Sequence, residues 1–119
     1  MDEAVLHALA TERTIDITTT GRRSGAPSRI EMWFHQVDGE IYLTGRPQPR
    51  DWYANLLADP GFTFHLKQSI AIDLAATAHP VPAGFERARV IGVVHDRVQS
   101  VVSLDEWLAS SPLVRVDFG

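Results

Sequence analysis

The chain has 119 residues, a mass of 13.2 kDa and a net charge of −4, from 11 Lys and Arg against 15 Asp and Glu. Its 45% hydrophobic and 22% charged residues exclude a disordered or low-complexity chain and predict one globular domain over residues 1–119. The absence of cysteine excludes a disulfide framework, a thiolate zinc site and a catalytic thiol. The acidic balance disfavours sequence-independent nucleic-acid binding, so we expect no nucleic-acid partner.

The start of the chain gives no sign of export or membrane insertion. Met1-Asp2-Glu3 is acidic, where a signal peptide has a basic segment. No apolar run approaches the roughly 18 residues that cross a membrane. We therefore expect a cytoplasmic protein without a transmembrane segment.

The first part of the chain predicts a helix and then three strands. Asp2 to Ala10 has helical spacing of apolar residues and an acidic first turn. From Arg13 to Thr20, alternation of β-branched residues predicts a half-buried strand. Alternation resumes from Arg29 to Val37, and Asp38-Gly39 fits a type I′ turn into a return strand from Glu40 to Thr44. One face of the second strand carries Ile30, Met32 and Phe34, and the other carries Arg29, Glu31, Trp33 and His35.

The second part predicts a helix, a hairpin, two more helices and a last strand. After a loop with two prolines, Asp51 is the predicted cap of a helix through Leu57. Phe62 to Lys67 and Ile70 to Ala76 alternate as a hairpin. A helix from Pro82 is predicted to bury the stripe Phe85, Ala88, Ile91, Val94 and Val98. Ser103 and Glu106 form a capping-box pattern for a helix through Ala109, and Pro112 to Phe118 forms the last strand.

This order of elements defines the fold class. Six strands in hairpins with peripheral helices predict an α+β protein whose mostly antiparallel sheet closes into a small barrel. A doubly wound parallel sheet needs helices that alternate with strands, and they do not alternate here.

The candidate chemistry is concentrated in one turn. Arg22, Arg23 and Ser24 stand between Gly21 and Gly25, so that two guanidiniums, a hydroxyl and backbone N–H groups lie within a few residues. Such a turn suits a phosphate, and a solvated cationic turn is the alternative interpretation. Ser24 lacks the Gly-x-Ser-x-Gly context of a catalytic serine. The five histidines show no metal-ligand spacing, so we predict no metal site.

Several short segments together resemble the deazaflavin-dependent nitroreductase family. They are TTTGRRSG (18–25), RIEMWF (29–34), YLTG (42–45), DWYANL (51–56), DP (59–60) and SPLV (111–114). This family consists of split β-barrel proteins related to flavin-binding pyridoxamine phosphate oxidases. The resemblance covers the chain from about Arg13 to Val114.

The resemblance implies an 8-hydroxy-5-deazaflavin cofactor, coenzyme F420, with FMN as the alternative. Position by position, it implies that the cofactor contacts Arg22, Arg23, Ser24, Gly25, Arg29, Thr44, Gly45, Arg46, Arg50 and Trp52. The first of these belong to the turn that holds the phosphate-bearing tail, and Thr44 to Arg46 lie against the ring. The loop from Gly45 to Arg50 is shorter than in many members, and the late tyrosines that several members place over the substrate are absent.

The function that follows is reduction of a small molecule. We expect hydride transfer from the reduced deazaflavin to a quinone, an enone or a nitro compound. The candidates to wall the substrate or relay a proton are Trp33, His35, Tyr42 and Tyr53. Two alternatives are a related flavin- or haem-handling barrel and a non-catalytic protein that binds a cofactor or lipid. We also expect a homodimer.

Overall fold

The computed structural model describes residues 1–119 and contains six strands and four helices. The helices are α1 (Glu3–Thr11), α2 (Asp51–Ala58), α3 (Phe85–Val98) and α4 (Leu104–Ser110). The strands are β1 (Thr14–Thr20), β2 (Pro27–Val37), β3 (Glu40–Thr44), β4 (Gly61–Leu66), β5 (Ile72–Pro80) and β6 (Leu113–Phe118). No helix is both long enough and apolar enough to cross a membrane.

The six strands form a closed barrel in the order β1-β2-β3-β6-β5-β4, with every neighbouring pair antiparallel. The predicted α+β barrel is therefore confirmed. Three pairs are hairpins of consecutive strands, and β6 enters between β3 and β5. Closure leaves no strand with an unpaired edge, so every strand has two hydrogen-bonded neighbours.

The barrel interior is filled by the side chains that alternation predicts to face inward. Ile15, Ile17 and Phe64 are fully buried there, and the ring of Phe64 packs edge-on against Phe34 with the centroids 5.4 Å apart. Apolar side chains of α1 and α2, including Leu9 and Leu56, join the same core. Burial of these side chains supplies the main driving force for closing the barrel.

A second, smaller core lies outside the barrel, under α3 and α4. Strand β3 contributes to both cores, because Leu43 belongs to the barrel core whereas its neighbour Tyr42 packs with α3 and α4. Val90, Ile91 and Trp107 complete the contact from the helix side. This second core fixes α3 and α4 against one side of the barrel.

The beginning of α3 differs from the prediction. The helix starts at Phe85 rather than Pro82, after Gly84, whose φ of +149° is a conformation that other residues rarely adopt. Phe85 is 85% exposed and Ala88 is exposed, so the predicted apolar stripe is wrong in its first turns. In the first turn of α3, Glu86 contacts the barrel instead: it accepts hydrogen bonds from Tyr42 on β3 and Arg115 on β6. The buried stripe is Val90, Ile91 and Val94.

Other boundaries also differ from the predicted ones. Arg50, not Asp51, occupies the N-cap position of α2, and its side chain makes no capping bond, so the predicted cap is wrong. Asp51 lies in the first turn of α2, where its negative charge interacts favourably with the helix dipole and its Oδ1 accepts a hydrogen bond from Arg22. The β2 strand begins earlier, at Pro27, and β5 begins later, at Ile72, because the pairing of β5 with β4 starts only at Leu66.

Candidate functional site

The turn between β1 and β2 is tightly folded on its own backbone. The Gly21 N–H donates to the Ala26 carbonyl and the Gly25 N–H donates to the Gly21 carbonyl, both at 2.8 Å. The Ser24 Oγ accepts from the Ala26 N–H at 3.1 Å. A Cβ on Gly21 would lie 2.9 Å from the Ser24 Oγ and 3.1 Å from the Ala26 oxygen. Gly25 has a φ of +73°, so both glycines are required for this shape.

Arg22 joins this turn to α2. Its backbone N–H and its Nη1 both donate to the Asn55 Oδ1, at 3.1 and 3.0 Å, and its Nη2 donates to the Asp51 Oδ1 at 3.2 Å. The buried Asn55 also donates from Nδ2 to the Thr19 Oγ1 at 3.1 Å. The Arg22 guanidinium is thus already engaged, while the neighbouring Arg23 is exposed and makes no ion pair.

A shallow cleft of about 340 Å³ opens at this turn, and we refer to it as the turn cleft. Its lining combines the turn with the first part of α2: Gly21, Arg22, Arg23, Ser24, Ala26, Pro27, Ser28, Asp51 and Asn55. One free guanidinium, one partly neutralised guanidinium and a hydroxyl face the cleft. These groups suit a phosphate or carboxylate, which Arg binds through two parallel hydrogen bonds.

A second cavity, also of about 340 Å³, is the Trp33 cavity. Five of its residues are among those predicted from the sequence: Trp33, His35, Thr44, Gly45 and Arg46. The others come from the end of α3, from the connection between α3 and α4, and from α4: Val98, Gln99, Ser100, Val101 and Trp107. The structure therefore brings the outer face of β2 and the end of β3 together in one place.

The walls of the Trp33 cavity are held by specific bonds. The Thr44 Oγ1 donates to the Pro112 carbonyl at 2.6 Å, which fixes the end of β3. The buried Trp107 donates from its indole nitrogen to the Ser100 Oγ at 3.0 Å. Trp33 itself is 50% exposed and offers a flat aromatic face to a ligand. A planar ring system fits this mixture of aromatic wall and polar groups.

His35 is neutral at physiological pH. Burial first, and then the charges of Arg97 and Arg13, lower the pKa of His35 from 6.5 to about 4. The neutral imidazole has one N–H donor and one acceptor nitrogen. In the Trp33 cavity, His35 is therefore suited to donate a hydrogen bond to a carbonyl oxygen, and it carries no charge there.

The remaining predicted residues lie elsewhere. Arg50 and Tyr53 line a larger open cleft of about 850 Å³ between the loop before α2 and the end of α4. Trp52 is buried in the barrel core. Tyr42 is fully buried under α3, where its hydroxyl donates to the Glu86 Oε2 at 2.8 Å. Arg29 projects from the barrel and pairs with Asp16 at 3.0 Å.

The cavity residues from the end of α3, from the connection to α4 and from α4 itself were not predicted from the sequence. The chain leaves α3 through Gln99, whose φ of +49° is left-handed, and this turn carries Ser100 and Val101 to the cavity. Glycine at that position would have indicated the turn, but glutamine gives no such signal. The capping box at Ser103 did predict α4, and with it a helical position for Trp107.

The six strands close into a split barrel that carries a cationic turn after β1 and, separately, an aromatic cavity at the end of β3. The sequence model of the F420H(2)-dependent quinone reductase family matches residues 3–115. The chain therefore belongs to the F420H2-dependent quinone reductase family. Among curated proteins, no sequence matches the chain significantly.

Solved structures show the same fold. The chain is similar to the conserved hypothetical protein Rv2991 from Mycobacterium tuberculosis, with 24% identity over 99% of this chain and 81% of that chain and a TM-score of 0.75. It is similar to a protein described as an F420 reductase, with 17% identity, 100% and 96% coverage and a TM-score of 0.74. It also resembles HutZ, the heme storage protein from Vibrio cholerae, with 18% identity, 98% and 89% coverage and a TM-score of 0.72.

Family membership determines the class of reaction. The protein is a deazaflavin-dependent reductase that uses coenzyme F420 and acts on a small molecule. The predicted family, enzyme class and cofactor are confirmed. The haem-handling alternative has support from the shared barrel alone, and the barrel occurs with several functions.

Proposed function

We propose that the turn cleft binds the anionic tail of F420, that the Trp33 cavity receives the deazaflavin ring and the acceptor, and that the acceptor is a quinone. The observation that carries this proposal is the convergence of five predicted residues, from β2 and from the end of β3, on the Trp33 cavity. The family description supports the quinone as the acceptor class.

The spacing of the two sites supports an elongated cofactor. Ser28 lines the turn cleft and Trp33 lines the other cavity, and both belong to β2. Five residues of extended strand span roughly 17 Å, at about 3.3 Å per residue. Because residues five apart on a strand point to opposite faces, the proposal requires a molecule at least this long that passes around β2, with its charge at one end and its ring at the other.

The residues of the turn cleft and of the Trp33 cavity fit coenzyme F420. Bound F420H2 supplies a hydride, and the acceptor takes up that hydride and one proton to become a hydroquinone. The Trp33 face orients planar rings, and the neutral His35 donates a hydrogen bond to the acceptor carbonyl. With a pKa of about 4, His35 is almost entirely unprotonated at pH 7, so solvent supplies the proton.

Turnover with a defined quinone tests the proposal. F420 is first reduced by a separate dehydrogenase, and its reoxidation by menadione is followed by absorbance with and without the protein. We expect acceleration by the protein and at least a tenfold lower kcat/KM for menadione in Trp33→Ala. Phe85→Ala is the matched control, because Phe85 is 85% exposed and lies on α3 outside the cavity. No acceleration, or equal rates for the two variants, would overturn the proposal.

The homodimer also belongs to this proposal. One structural neighbour is described as a domain-swapped dimer, at 17% identity and a TM-score of 0.61. The half-exposed Trp33 supports a partner surface near the cavity, since large aromatic side chains are enriched at interfaces. A single domain over residues 1–119 and a cytoplasmic location remain our predictions from the sequence.

A further inference from the structure

A separate cavity of about 290 Å³ lies on the other side of Trp33 and His35, and we refer to it as the arginine cavity. It shares Trp33, His35 and Val98 with the Trp33 cavity, so the two are direct neighbours. Its other walls come from the end of α1, from the link between α1 and β1, which carries Glu12 and Arg13, from β2, and from the last turn of α3, which carries Arg97. The cavity lies outside the turn cleft and shares no residue with it.

Two arginines of this cavity have no carboxylate partner. Arg97 donates from Nη1 to the Gln36 carbonyl at 2.8 Å, which holds its side chain at the end of β2 without neutralising it. Arg13 is held through its backbone N–H, which donates to the Gln68 Oε1 at 3.1 Å. Other cations of the chain do have acidic partners, for example Arg89 with Asp38 and Arg115 with Glu86. Arg13 and Arg97 are thus available to a ligand.

The remaining titratable groups leave the arginine cavity positive. Glu12 lines it, and its Oε2 accepts from the Ser69 N–H and hydroxyl while its Oε1 is buried without a partner. His35 is neutral, because burial, Arg97 and Arg13 lower its pKa to about 4. Two guanidiniums against one carboxylate leave an excess of one positive charge beside a neutral imidazole.

We propose that the arginine cavity is an anion subsite that binds a carboxylate of the acceptor, so that the substrate class is a planar quinone or enone bearing a carboxylate arm. This inference rests on the proposed function of the adjacent Trp33 cavity. The two cavities adjoin at Trp33, His35 and Val98, so a short arm on a ring that packs against Trp33 has only to pass His35 to enter the arginine cavity. The carboxylate then meets Arg13 and Arg97, which bind carboxylates through charge-assisted hydrogen bonds.

Binding of the anion has a measurable consequence at His35. A carboxylate between the two arginines offsets the positive charges that lower the pKa of His35. The pKa therefore rises toward its ordinary value when the subsite is filled. Burial still lowers the pKa, so recovery is partial.

The test uses protein without cofactor and two redox-inert probes of the same shape, 2-naphthoate and the neutral 2-naphthamide. We expect calorimetric titration to show at least tenfold tighter binding of the naphthoate. Arg13→Gln and Arg97→Gln should each weaken naphthoate roughly tenfold, the value of about one lost charge-assisted hydrogen bond, and leave naphthamide unchanged. Arg89→Gln, on the same helix as Arg97, is the matched control, and Glu12→Gln should tighten naphthoate binding.

Three results would overturn the inference. The first is equal affinity for the two probes, and the second is a naphthoate preference that survives both arginine substitutions. The third is weaker F420 binding in Arg13→Gln and Arg97→Gln, because the cavity would then belong to the cofactor tail. A rise in the pKa of His35 with naphthoate, measured by NMR, supports the subsite. Loss of menadione turnover would overturn only the proposed function, since these titrations need no cofactor.

Discussion

Arg23 is the cation of the β1–β2 turn that is free to meet a ligand, because Arg22 is engaged by Asn55 and Asp51. We predict that Arg23→Ala raises the dissociation constant of F420 at least tenfold. A charge-assisted hydrogen bond is worth roughly 1.5–3 kcal/mol, and about 1.4 kcal/mol is a factor of ten. Fluorescence titration of F420 measures the change, with Arg89→Ala as the control. An unchanged dissociation constant of F420 in both Arg22→Ala and Arg23→Ala would show that this turn does not bind the cofactor.

His35 makes stability depend on pH in a defined window. Its folded pKa of about 4 lies below the ordinary value of 6.5, so the unfolded chain binds more protons between these values. We therefore predict that the free energy of unfolding falls as the pH is lowered from about 6.5 to about 4. Denaturant unfolding at several pH values measures this slope, and His35→Gln should flatten it.

A different set of groups acts at lower pH, which separates the two effects. Bonds from Lys67 and Arg29 lower the pKa of Asp16, and bonds from Tyr42 and Arg115 lower that of Glu86. These carboxylates stabilise the fold above their ordinary pKa values, 3.8 for Asp16 and 4.5 for Glu86, and lose that contribution as the pH falls through those values. The pH dependence of stability above about pH 5 therefore reports on His35. If the free energy of unfolding changes with pH between about 6.5 and 5 equally in wild type and His35→Gln, the assignment to His35 is contradicted.

At the scale of elements, α2 positions the turn cleft through one buried amide. Asn55 accepts two bonds from Arg22 and donates one to Thr19. We predict that Asn55→Ala lowers the free energy of unfolding by about 2 kcal/mol, since buried groups lose their partners. It should also weaken F420 binding, because the turn is no longer tied to the helix. Denaturant unfolding and fluorescence titration measure the two effects.

Asn55→Asp is the matched variant for that prediction. It keeps an oxygen for Arg22 and an acceptor that the Thr19 hydroxyl can reach, so it should retain more F420 affinity than Asn55→Ala. Equal F420 affinity of wild type and Asn55→Ala, measured where both are folded, would show that the helix does not position the turn.

Most strands could be predicted because their signal is local. Alternation placed Trp33 and His35 together on the face of β2 opposite Ile30, Met32 and Phe34, and both line the Trp33 cavity. The stripe of α3 could not be assigned correctly, because periodicity does not show where a helix begins to touch the sheet. Phe85 has the right spacing but lies beyond that contact. The contribution of Gln99 depends on a left-handed turn without glycine, which local sequence does not indicate.

For the whole molecule, we predict a homodimer in which a partner surface covers part of Trp33. The chain has only 119 residues, and association would remove this half-exposed aromatic side chain from water. Light scattering at tens of micromolar measures the mass, and Trp33→Glu should shift it toward the monomer. Phe85→Glu is the control for adding a charge at an exposed aromatic position. A strictly monomeric mass for wild type would contradict the prediction.

The position of β6 in the barrel has a consequence during synthesis. Because β6 lies between β3 and β5 and is the last of the six strands to be made, a growing chain that lacks it has unpaired edges on both of those strands. Unpaired edges are templates for pairing with other chains. Substitutions that weaken β6, for example at the buried Val114 or Val116, should therefore cause aggregation of new chains more than loss of cofactor affinity in the chains that fold.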